Sequence, residues 1–118
     1  METEKTYNNY TLLSDKELHI YISDSLSFKE YKNIILTQLI NVDRGPMHIV
    51  WNFLNLKSIP WHQLGSHCSF MRSIDPIIWS KIERMTLIVK NKKSKIPLCV
   101  NKVLSFYNKN IPTDIRYL

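Results

Sequence analysis

The sequence predicts an α/β domain: a mixed, mainly parallel sheet with flanking helices, in the order β-β-α-β-α-β-α-β. Three observations carry this. Residues 47–54 and 85–90 are nearly continuous apolar runs of strand length, the pattern of strands in the middle of a covered sheet. Other segments place apolar residues at helical spacing. Strands that alternate with helices join into a parallel sheet through right-handed crossovers. The 118 residues form one domain, 1–118, long enough for a core of its own.

The elements follow in order. "YTLLS", from Tyr10, reads as a short strand and "SDKE" as a turn. "ELHIYIS", residues 17–23, alternates, with Leu18, Ile20 and Ile22 on one face and His19 and Tyr21 on the other. Period two predicts a strand, paired with the first as a hairpin. Ser27, Phe28, Lys29 and Glu30 form a capping box, in which the Ser27 hydroxyl accepts from the Glu30 amide and the Glu30 carboxylate reaches back. Leu26 and Tyr31 suit a hydrophobic staple. Phe28, Tyr31, Ile35 and Leu39 continue at helical spacing, so the helix ends near Asn41, before the turn residues "DRGP".

The run 47–54 then predicts a strand covered on both faces. Trp61, Leu64, Cys68 and Met71 define the stripe of a second helix, broken at Asp75-Pro76. Cys68 is expected to be buried on that stripe as a small hydrophobe, and Cys99 similarly on the next helix. "IIWSKIER" fits neither period cleanly and allows a short helical turn packing Ile78 and Ile82. "MTLIVK", 85–90, is the next strand. "NKKS" leads into a third helix with Ile96, Val100, Val103 and Tyr107 as its stripe; Pro97 falls in its first turn, where no amide donor is needed. "TDIRYL" closes the sheet as a last strand.

Composition narrows the class. With 44% hydrophobic and 22% charged residues, the chain lies outside the disordered range. No run of about 18 apolar residues marks a membrane span, and the polar N-terminal decapeptide lacks a secretory layout. Two cysteines give neither a disulfide framework nor metal spacing. The expectation is a reduced, cytoplasmic protein. Charge is uneven: residues 1–80 carry a net −1 and residues 81–118 a net +7, centred on "KNKKSK" at 90–95. Such a run is either a solvated loop or an anion-facing patch.

Catalytic and metal chemistry find little support. His62 and His67, five residues apart on one helix, point about 140° apart; His19 and His48 lie on different strands. The acids are scattered, and Gly45 and Gly65 make no phosphate loop. No enzyme, metal or cofactor is expected. Trp51 reads as core, Trp79 as packed on a neighbouring helix, and Trp61 as core cap or groove wall.

On this element order, and on "HIVWNFLNLKSIPWHQL" above all, the chain resembles a STAS domain, the fold shared by sulfate transporter tails and anti-sigma-factor antagonists. Laid along that family's pattern, Asn52 stands at the strand's aspartate, and Pro60, Trp61, His62 and Gln63 stand where Asp-Ser-Ser-Gly opens the second helix. The phosphoacceptor motif is not present. The resemblance implies a non-catalytic interaction or regulatory module that binds a protein partner or self-associates. In parallel sheets the loops leaving the strands' C-terminal ends share one edge, which gathers three helix starts and the candidate residues Ser58, Trp61, His62, Lys92, Lys93 and Ser94. Free amides and lysines there also suit a small anionic ligand or lipid headgroup. Nucleic acid is the weaker alternative, since no aromatic residue is interleaved with "KNKKSK".

Overall fold

In the computed structural model, residues 5–6, 9–59, 61–75 and 77–118 are described. The expected roles of Pro60 and Pro76, and of the Leu64 side chain, lie outside the described residues. Among the described residues six strands form one sheet: β1 (Lys5–Thr6), β2 (Tyr10–Ser14), β3 (Glu17–Ser23), β4 (Met47–Asn55), β5 (Ile82–Val89) and β6 (Thr113–Tyr117). Their spatial order is their chain order. β1–β2 and β2–β3 pair antiparallel; β3–β4, β4–β5 and β5–β6 pair parallel. Since β1 has two residues, the bulk of this mixed sheet is five strands.

Four helices among the described residues connect the strands: α1 (Phe28–Ile35), α2 (Leu64–Ile74), α3 (Ile77–Ser80) and α4 (Ile96–Phe106). The capping box sets the start of α1. The Glu30 amide donates to Ser27 Oγ, and the Ser27 amide donates to Glu30 Oε1, each at 3.1 Å. A wide π turn, Leu36–Ile40, prolongs α1. It closes where the Asn41 amide donates to the Leu36 carbonyl at 2.8 Å, at the end the spacing predicted.

The helices do not flank both faces. Parallel crossovers are right-handed, so strands laid down in chain order carry every connecting helix to one side. All four helices border a single cavity against one sheet surface. On that surface Leu18, Ile20, Met47, Ile49 and Met85 join Ile35, Leu39, Phe70 and Ile78 in the core. The strand register puts Thr11, His19, Val50 and Thr86 side by side on the other surface. The run 47–54 is therefore alternating after all: Met47, Ile49 and Trp51 face the helices, while His48, Val50 and Asn52 face away.

Two further elements differ from expectation. β5 begins at Ile82, before the apolar run, with a register shift opposite Met47 and His48. The four residues of α3 bury Ile78 just ahead of it. In α2 the expected stripe is rotated. A tighter 3-10 turn, Trp61–Gln63, precedes the helix and changes its phase. Phe70 and Ile74 are buried, with Met71 partly so, whereas Cys68 is exposed. The expected burial of Cys68 is thus overturned.

Replacing Ser27 with alanine removes the cap and should cost about 1 kcal/mol. Urea unfolding should show a lower midpoint with an unchanged slope; an unchanged midpoint would mean the box adds nothing.

Candidate functional site

The strand ends of β3, β4 and β5 open into three loops along one edge, and local hydrogen bonds shape each of them. The Lys57 amide donates to both carboxylate oxygens of Asp24, at 3.3 and 3.1 Å, tying the first loop to the second. In the third loop the Lys93 amide donates to Asn91 Oδ1 at 2.9 Å, the Ser94 amide to the Asn91 carbonyl at 3.2 Å, and the Ile96 amide to Ser94 Oγ at 3.3 Å. The N-cap of α4 is Lys95, one residue past the expected Ser94, and its side chain makes no capping bond.

These bonds bear on the anion reading. The amides of Lys93, Ser94 and Ile96 are already partnered within the loop. At α1 the Glu30 carboxylate itself occupies the helix start; the bond from the Ser27 amide, above all, holds it below the usual carboxylate range. What remains at the edge is side-chain charge. Lys92 and Lys93 are exposed, as are Ser58 and His62, and Ser94 is half-buried. Trp61 is 60% exposed. The edge thus holds Ser58, Trp61 and His62 on one loop and Lys92, Lys93 and Ser94 on another, with no hydrogen bond between the two groups among the described residues.

Beneath this edge lies a cavity of about 280 Å³ between the helices and the sheet. Its walls include Ile22, Tyr31, Trp51, Met71, Trp79 and Val100. The shifted phase of α2 brings His67 inward, against the rings of Phe28 at 4.8 Å and Tyr31 at 5.0 Å. Burial lowers the His67 pKa, which favours the neutral imidazole. Burial also pushes the Tyr31 phenol far above its ordinary value. Sequence reasoning missed both residues as a site: it placed Tyr31 in a stripe and weighed His67 only as a metal ligand.

The face away from the helices holds a second constellation. Glu17 and His48 are register partners on adjacent strands. Glu17 Oε1 lies 3.1 Å from His48 Nδ1, and Glu17 Oε2 lies 2.9 Å from His19 Nε2. His48 Nε2 lies 2.7 Å from the Thr86 hydroxyl. The bond with His19, most of all, keeps Glu17 below the ordinary carboxylate range; partial burial opposes this and His48 adds to it. An ionised carboxylate only accepts, so His48 donates from Nδ1 to Glu17, while its Nε2 meets the Thr86 hydroxyl. The order hydroxyl, imidazole, carboxylate is that of an activated nucleophile. Yet Thr86 is 3% exposed, and β5 is paired on both sides around it. The neighbouring amides are spent in ladders rather than aimed at an oxyanion. The array fixes side chains on a sheet face. The alternation of 17, 19, 48 and 86 is the available signal, and the apolar run 47–54, which reads as covered on both sides, obscures it.

Among the described residues no group of three His, Cys, Asp or Glu is placed to hold a metal ion. No helix there is long and apolar enough to cross a membrane. Comparison with protein-family models, with curated proteins and with solved structures finds no match.

Two outcomes test this geometry. A histidine whose folded pKa is depressed takes up its proton more readily unfolded, so stability falls as pH drops below about 6.5. Thermal midpoints should decline between about pH 6.5 and 5, above the carboxylate range, and His67→Gln should flatten that decline; an equally steep curve in the variant would refute it. With a disulfide thiol reagent, exposed Cys68 should react well before half-buried Cys99. Equal rates would count against the α2 phase.

Proposed function

We propose that this chain is a non-catalytic, STAS-like interaction module that docks a protein partner through its loop edge. The observation that carries the reading is Trp61, 60% exposed at the start of the α2 segment. A ring left in water on the 3-10 turn ahead of α2 offers an anchor for a partner's pocket. Leu98, 56% exposed in the first turn of α4, adds apolar surface on the same edge. Exposed Lys90, Lys92, Lys93 and Lys95 supply positive charge between them. The partner that fits is a protein surface with an apolar spot bordered by Asp or Glu. The element order and the wholly one-sided helical layer support the STAS-like reading. The hydrogen-bonded loop amides favour a protein over a small anion, because little backbone donor capacity is left for an anion to use.

Light scattering separates self-association from a foreign partner: a dimer would double the 14.0 kDa chain mass. Trp61→Ala should weaken the complex at least about tenfold, the scale of an interface hot spot. Lys92→Gln with Lys93→Gln should weaken it less and remove part of its salt dependence. Both variants should melt near the wild-type temperature, since these side chains lie in solvent. A complex as tight in Trp61→Ala as in wild type would overturn the assignment.

A further inference from the structure

We propose that the cavity between the helices and the sheet binds a neutral, mainly hydrocarbon molecule of about eleven heavy atoms, bearing one hydrogen-bond acceptor that meets the Tyr31 hydroxyl. Size comes first. Protein interiors hold few voids larger than a water molecule, and an engineered apolar cavity of about 150 Å³ takes up benzene. This one, at about 280 Å³, is close to twice that, the room for two fused rings.

Chemistry comes second. Among the described residues no Lys, Arg, Asp or Glu lines the cavity, so none of them would neutralise a charged ligand, and an unpaired charge in such a place is costly. The two wall serines are engaged elsewhere: Ser23 Oγ with Ser25 Oγ at 2.9 Å, and Ser27 Oγ with the Glu30 amide. Tyr31 differs. It is half-buried and lines the cavity, and its hydroxyl makes no hydrogen bond among the described residues. Gln63, His67 and Trp79 also bring polar atoms to the wall, while the Tyr31 hydroxyl keeps its proton free to donate. It suits a carbonyl or ether oxygen on an otherwise apolar body. His67, kept neutral by burial, leaves the wall uncharged.

Access follows from the same residues. Ser23, Leu26, Leu56, Ile59 and Gln63 belong to the loop edge and also border the cavity, so its mouth opens between the first two loops.

The test uses the intact chain with 1-tetralone, a neutral bicyclic ketone of about eleven heavy atoms, and with tetralin, its parent hydrocarbon. Calorimetry should show saturable one-to-one binding of the ketone, with tetralin about fivefold to tenfold weaker for want of one hydrogen bond. Tyr31→Phe should bind the two alike. Val100→Phe and, separately, Val103→Phe should fill the space and abolish binding of both. Methyl spectra of the wild-type chain need no variant: shifts should concentrate at Met71, Ile78 and Met85 and spare Val50 on the opposite face. No saturable binding up to the solubility limit, or shifts centred on Val50, would overturn the site. A ketone preference retained in Tyr31→Phe would overturn the role of that hydroxyl.

Discussion

Everything in this molecule depends on one constraint: its strands lie side by side in the order in which the chain makes them. Each parallel step must cross over the sheet, and chirality sends every crossover the same way. The helices therefore share one surface and bury one apolar set between themselves and the strands. Three longer helices spaced over a twisted sheet leave room beneath them, and large side chains such as Trp51 and Trp79 border that room without filling it.

The same constraint leaves the opposite surface without a helical cover. Central side chains there are still shut off from water by their neighbours: Thr86 is 3% and His48 8% exposed. Buried polar groups need partners, and this face supplies them internally. Glu17 joins His19 and His48, His48 joins Thr86, and Thr11 meets the Tyr21 hydroxyl at 2.9 Å. A face built this way stays polar without leaving buried donors orphaned. The contrast with the helical side is direct, where the Trp79 indole nitrogen is buried and unpartnered.

Local chemistry was the most legible part of the sequence. The Ser27–Glu30 box involves four consecutive residues, so no distant contact could override it. The strand at 17–23 was equally plain, because Leu18 and Ile20 alternate with polar neighbours. What could not be read were quantities set at a distance. The phase of α2 depends on how the preceding turn winds, and a three-residue tightening was enough to bring His67 inward and turn Cys68 out. The candidate edge residues fell where a parallel sheet puts its loops. The partnering of the Lys93 and Ile96 amides, however, depends on how Asn91 and Ser94 fold back, which spacing alone does not reveal. The cavity has no sequence signature at all, being a shortfall of volume summed over four helices and a sheet.

Chain-order assembly also shapes how the domain is made. No strand has to be threaded between two already in place, so a nascent chain can build the sheet from one side, hairpin first, as it is synthesised. The hazardous stage is late. Before β6 docks, the edge of the growing sheet is β5, whose Met85, Thr86, Leu87 and Val89 are all buried in the finished fold; an apolar open edge of that kind invites pairing with another chain. β6 ends the exposure. Its Asp114 and Arg116 project into solvent and stand 3.7 Å apart, so the last strand replaces a sticky border with a charged one and serves as the selvedge of the sheet.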